Sequence, residues 1–142
     1  MGRNRVVFLS SPEEMIAYGK QLAATLPPGS ILALSGDLGA GKTTFVQGLA
    51  LGLQIDQPVQ SPTFIYFNQY EGEKPLFHFD LYRMKGPQDF LGMGFDEYFE
   101  AEGICAIEWP ERIASLLPKR AMRISFSHQE GGRCLVFESG SC

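Results

Sequence analysis

The chain has 142 residues, 44% of them hydrophobic and 12% aromatic, enough for one domain with a packed core spanning residues 1–142. A formal net charge of −4 argues against a chain built mainly to wrap nucleic acid, and no stretch has the length and apolarity of a signal peptide or a membrane span. The three cysteines, Cys105, Cys134 and Cys142, form no C-x-x-C pair and suit a reducing cytosol, so a cytoplasmic protein is expected, with Cys105 in an apolar run and therefore in the core.

Val6 to Leu9 reads as a first strand. Ser11-Pro12-Glu13-Glu14 then has the chemistry of a helix start: Ser11 as cap, Pro12 at the first helical position and Glu14 closing a capping box. Met15, Tyr18, Leu22 and Leu26 line one face of that helix, which Pro27-Pro28-Gly29 ends. Ile31 to Leu34 is a short buried strand.

The stretch GDLGAGKTT, residues 36–44, follows that strand and opens a helix with Phe45, Leu49 and Leu53 at helical spacing. Gly36, Gly41, Lys42 and Thr43 satisfy G-x-x-x-x-G-K-S/T, the phosphate-binding P-loop. Gly36, Gly39 and Gly41 allow backbone N–H groups to turn inward, and Asp37, Leu38 and Ala40 complete the loop. Those donors, at a helix N-terminus whose dipole favours negative charge, make an anion nest continuing to Thr44. Lys42 brings a point charge to the β- and γ-phosphates, and the Thr43 hydroxyl is a ligand for Mg²⁺, a hard cation that takes oxygen donors.

Residues 56–62 form a loop, and Thr63 to Tyr70, rich in aromatic residues, is expected to be a strand. After a turn at residues 71–75, Leu76 to Tyr82 is a second strand, paired antiparallel with it. Alternation places His78, Asp80 and Tyr82 on one face and Phe77, Phe79 and Leu81 on the other; the polar row fits a solvent face or the wall of a nucleotide site. Arg83, just beyond it, fits a γ-phosphate contact or a local ion pair.

Pro87 to Phe99 is helical in pattern but interrupted by Gly92 and Gly94, so a broken element is expected. Gly103 to Ile107 is a buried strand ending in Glu108-Trp109, followed by a short helix over Pro110 to Leu117. A P-loop needs a carboxylate at the end of a neighbouring strand, and Glu108 stands where α/β sheets place ligands. Trp109, the only tryptophan, adjoins it as a nucleotide-contact candidate. Ala121 to Ser127 and Arg133 to Glu138 flank Gly131-Gly132 as a C-terminal hairpin. His78 and His128 are too far apart in sequence to suggest a metal pair, and the absence of an N/T-K-x-D motif favours ATP over GTP. The whole pattern predicts an α/β fold, a P-loop NTPase sandwich with a mixed central sheet and flanking helices.

GDLGAGKTT, SPTF (residues 61–64), HFDLYR (residues 78–83) and IEW (residues 107–109), in this order and spacing, resemble the TsaE (YjeE-like) family of bacterial P-loop ATPases. The resemblance implies an ATP-hydrolysing, Mg²⁺-dependent subunit that works with TsaB and TsaD. Together these make N6-threonylcarbamoyladenosine beside the anticodon of tRNAs reading codons that start with A, and the ATPase resets the complex between turnovers. It implies that Ser61, Pro62, Thr63 and Phe64 form one switch and His78, Asp80, Tyr82 and Arg83 a second. It ties Thr43 and Glu108 to Mg²⁺ and makes Asp80 necessary for turnover, with Lys42 and Glu108 as its catalytic companions. tRNA is then met through the complex, and basal hydrolysis is weak. Two other readings fit a P-loop: a small metabolite kinase, whose sole basic lid would be Lys119, Arg120 and Arg123, and a nucleotide-sensing adaptor without turnover.

Overall fold

The computed structural model describes residues 5–62 and 65–138. Its elements in chain order are β1 (Arg5–Leu9), α1 (Pro12–Ala23), β2 (Ile31–Gly36), α2 (Lys42–Gly52), β3 (Phe67–Tyr70), β4 (Leu76–Asp80), α3 (Pro87–Gly92), a 3-10 turn Phe95–Glu100, β5 (Ile104–Glu108), a second 3-10 turn Pro110–Leu116, β6 (Met122–Gln129) and β7 (Gly132–Glu138). The described strands form one seven-stranded sheet in the order β1-β7-β6-β2-β5-β4-β3. β6, β2, β5 and β4 run parallel, while β1, β7 and β3 are antiparallel to their neighbours. The sheet is mixed, as expected.

Alternation along the central strands divides the core in two. Leu32 and Leu34 of β2 pack with Leu76, Ile104 and Ala106 under α1 and α2. Ile31 and Ala33 pack with Phe77, Phe79, Cys105 and Ile107 under α3 and the two 3-10 turns. Both faces of the parallel core are therefore covered, the condition such a sheet needs.

The two helices on the first face meet almost backbone to backbone. A Cβ on Gly48 of α2 would collide with the carbonyl of Ile16 in α1, and one on Gly19 would lie 2.6 Å from the carbonyl of Phe45. This close contact fixes α2, and with it the P-loop, against α1. The start of α1 forms as expected in part: the Ser11 hydroxyl accepts from the Glu14 N–H at 3.1 Å. Glu14 reaches one residue further back than a capping box requires, accepting from the N–H of Ser10 at 2.8 Å. That bond holds the Glu14 carboxyl below the ordinary carboxylate range.

Two strands are shorter than the sequence suggests. The expected Thr63–Tyr70 strand begins at Phe67, and Thr63 and Phe64 lie outside the described residues. Tyr66, just before it, has φ +67 and gives its carbonyl to the Asp80 N–H, which ends the regular ladder. The expected Leu76–Tyr82 strand stops at Asp80, because the Asp80 carboxylate accepts from the N–H of Tyr82 and turns the chain. The broken helix divides at Met93-Gly94, where Gly94 has φ +73 and starts the 3-10 turn. The element after Trp109 is a 3-10 turn kinked at Ile113 rather than an α-helix.

Candidate functional site

β2, β5 and β4 are adjacent and parallel, so their carboxyl ends form one row. The register places Leu34 beside Glu108 and Glu108 beside Asp80. β2 runs into the P-loop, β5 ends in Glu108 and β4 ends in Asp80. The sheet topology thus brings Thr43 of the P-loop to Glu108, 65 positions away in sequence.

Gly36, Gly39 and Gly41 have φ of +144, +78 and +104, the left-handed region that favours glycine. Gly41 precedes α2, and its carbonyl takes the first helical bond, from the Phe45 N–H at 2.9 Å. Lys42 is only 4% exposed. Its ammonium donates to the carbonyl of Gly36 at 2.5 Å and lies 3.8 Å from the centre of the Trp109 ring. Burial pushes the Lys42 pKa down, opposed by the charges of Glu108, Glu111, Asp80 and Asp37 in that order.

The Thr43 hydroxyl donates to Glu108 Oε2 at 3.0 Å. The same oxygen lies 2.7 Å from Nε2 of His78. Glu108 and His78 are both buried, at 3% and 0% exposure. Asp80 is also buried; its Oδ2 accepts from the Ser61 hydroxyl at 2.7 Å and its Oδ1 from the Tyr82 N–H at 3.1 Å. The row His78 and Asp80 is therefore buried rather than a solvent face: Asp80 lines the cleft described next, and His78 lies against Glu108. Tyr82 lies past the end of the strand, with its ring 4.9 Å from that of Trp109 and its carbonyl held by Arg112 at 3.0 Å.

These residues enclose a cleft of about 420 Å³ lined by Leu38, Gly39, Gly41, Lys42, Thr43, Thr44, Ser61, Asp80, Tyr82, Arg83, Glu108 and Trp109. Its size is that of a small-molecule site. A smaller cavity of about 140 Å³ shares Gly39, Gly41 and Thr44 with it and extends to Ser10, Pro12, Met15 and Arg133. Among the expected site residues, Asp37 and Leu38 are exposed at the loop tip, Ala40 packs in the core, and Pro62 is buried beside Ser61. Trp109 carries φ 60, a left-handed conformation costing a non-glycine residue about 1–2 kcal/mol, and is held between Lys42 and Tyr82.

Two features escaped the sequence. His78 contacts the Glu108 carboxylate 30 positions away, which only the β4–β5 pairing reveals. Arg133, in the hairpin, donates to the carbonyl of Gly39 at 3.4 Å and so reaches the P-loop. None of the three possible lid residues lines the cleft: Arg123 lies in β6 beside Ala33, and β6 runs parallel to β2, so Lys119 and Arg120, before its first residue, lie at the opposite end of the sheet from the P-loop. Arg120 donates there to the carbonyl of Phe99 at 2.5 Å.

The sequence profile of the family described as "Threonylcarbamoyl adenosine biosynthesis protein TsaE" matches residues 9–135. The chain belongs to the TsaE family. The Bacillus subtilis "tRNA threonylcarbamoyladenosine biosynthesis protein TsaE" is 47% identical over 115 residues, covering 80% of this chain and 72% of that protein. The same-named protein of Haemophilus influenzae is 35% identical over 130 residues, covering 86% and 82%. A crystal structure of Bacillus subtilis YdiB superposes with a TM-score of 0.86 at 37% identity, over 99% of this chain and 88% of that one. No helix among the described residues is long and apolar enough to cross a membrane.

Proposed function

We propose that residues 1–142 form one cytoplasmic P-loop ATPase domain that hydrolyses Mg²⁺-ATP in support of threonylcarbamoyladenosine formation on tRNA, acting with TsaB and TsaD. The observation carrying this reading is the row of strand ends that sets Thr43, Glu108 and Asp80 around the P-loop.

The donor set fits Mg²⁺. Among the described residues no group of three or more His, Cys, Asp or Glu is placed to hold a metal by itself. Mg²⁺ needs no such cage, because it keeps several waters and takes phosphate oxygens with one or two protein ligands. Thr43 and Glu108 supply oxygens of that kind. When bound, the ion would neutralise charge developing on the phosphates.

The chain's own residues do the rest. The N–H groups of residues 36–44 receive phosphate oxygens, and Lys42 exchanges the Gly36 carbonyl for the β- and γ-phosphates. Asp80, at the γ end, orients the attacking water, with its carboxylate held by Ser61 and the Tyr82 N–H. Arg83 lines the same cleft. Hydrolysis is favoured over transfer to a metabolite because the residues that would have made a kinase lid do not line the cleft: Lys119 and Arg120 precede β6 and Arg123 lies within it beside Ala33.

The test is threonylcarbamoyladenosine formation in a reconstituted system of this chain, TsaB, TsaD and tRNA. Multiple turnovers are expected with the native chain, and arrest near one turnover per complex with Lys42→Ala. Normal multiple turnover with that variant, or without the chain, would overturn the assigned role.

A further inference from the structure

We infer that His78 is a positioning residue for the Mg²⁺ site: its ring clamps the Glu108 carboxylate against Thr43. This inference rests on the metal assignment proposed above for Thr43 and Glu108.

The contact is built rather than incidental. His78 is 0% exposed in the middle of β4, a strand flanked by β3 and β5. Its Nε2 is 2.7 Å from Glu108 Oε2, and the Thr43 hydroxyl meets the same oxygen at 3.0 Å. Thr43 sits at the start of α2 and His78 on the sheet beneath, so the carboxylate is gripped from two independent elements. Its torsions are thereby fixed before any ligand arrives. For this contact to be a hydrogen bond from the ring to the carboxylate oxygen, the tautomer is the one with the proton on Nε2.

The other ring nitrogen strengthens the argument. Nδ1 is buried with no hydrogen-bond partner among the described residues. A half-satisfied imidazole at zero exposure is a poor choice for stability, since an apolar side chain of similar volume would leave no orphan. The Glu108 contact is the one polar bond that the ring makes among the described residues. Phe77 and Phe79 point to the opposite face and fill the second core without any such cost. A hydrogen-bonded outer partner that orients a metal-binding carboxylate has the same arrangement, and its loss lowers metal affinity or activity by about 10–100-fold.

The experiment compares the native chain with His78→Leu, which removes the donor, and His78→Gln, whose amide can reach where Nε2 stands. ADP binding is measured calorimetrically against Mg²⁺ concentration and also with Mg²⁺ removed by chelation. The expected result is a Mg²⁺ midpoint raised about 10–100-fold in His78→Leu, unchanged ADP affinity in the metal-free arm, and recovery to within about threefold in His78→Gln. If His78→Leu does not fold by thermal melting, His78→Asn takes its place, because its shorter amide cannot reach Glu108. In the metal-free protein, imidazole ¹⁵N resonances should show the proton on Nε2. A midpoint that does not move, Gln no better than Leu or Asn, or a ring protonated only on Nδ1 would each overturn the inference. A native chain whose ADP affinity ignores Mg²⁺ would instead refute the metal assignment, while the ring resonances would still report the contact with Glu108.

Discussion

The Lys42 ammonium lies 3.8 Å from the centre of the Trp109 ring while bonded at 2.5 Å to the Gly36 carbonyl. The lysine is therefore satisfied by its own loop and by an aromatic face. A phosphate that recruits Lys42 must take it from both. Trp109 fluorescence should change on adding ADP or ATP, and no other tryptophan contributes to the signal. A flat titration alongside calorimetrically confirmed binding would show that Lys42 stays on the ring.

Lys42→Ala should weaken ADP binding by about 10–150-fold, the equivalent of roughly 1.5–3 kcal/mol for a lost charge-assisted contact. Equilibrium binding at fixed Mg²⁺ checks it, and an unchanged Kd would remove Lys42 from the phosphate site.

Asp80→Ala removes the acceptor for both Ser61 and the Tyr82 N–H but no P-loop donor. ADP affinity should stay within about threefold, while turnover falls by roughly a hundredfold or more, as losing a charge-stabilising or water-orienting group does. Parallel binding and single-turnover measurements separate the two effects. An equal loss in both would mark a folding role for Asp80.

Gly48→Ala tests the helix contact behind the P-loop. Alanine is the better helix former by about 1 kcal/mol, yet its Cβ would strike the Ile16 carbonyl. Overpacking should win, with a net loss of about 1–3 kcal/mol in urea unfolding. Equal or greater stability would mean that α1 and α2 can separate freely.

Burial pushes the Cys105 thiol up to about 12, and the thiol faces the Tyr98 carbonyl at 3.4 Å. Its folded pKa lies above its unfolded value, so this contribution is intact below about pH 8.5 and is lost as pH rises towards the folded value. Unfolding free energy should decline over that alkaline window, and less so in Cys105→Ala. Native Cys105 should also resist iodoacetamide at neutral pH until the chain unfolds; rapid labelling of the folded protein would contradict its buried state.

Most of the fold was legible because the signals were local: Pro12 after a serine cap, the glycines and Lys42 after an apolar strand, and Gly131-Gly132 between two strands. What stayed hidden depends on pairing. The residues before Phe67 look like strand, but Tyr66 takes a positive φ and gives its carbonyl to Asp80, a choice no propensity encodes. Asp80 ends its own strand by accepting from Tyr82, a side-chain competition with the ladder that aromatic alternation conceals. At the site, Lys42, Thr43 and Glu108 followed from P-loop chemistry, whereas the His78 clamp required knowing that β4 lies beside β5 in this register. Arg133 was equally invisible, because nothing in a hairpin sequence indicates that it returns to Gly39.

Release of free phosphate from Mg²⁺-ATP, followed for the native chain and for Lys42→Ala, alone and with TsaB and TsaD added, tests the nucleotide site most directly. Slow release by the native chain, faster release with both partners, and none above background with Lys42→Ala are expected. Native release no higher than that of Lys42→Ala under either condition would contradict an ATPase built from the P-loop, Glu108 and Asp80.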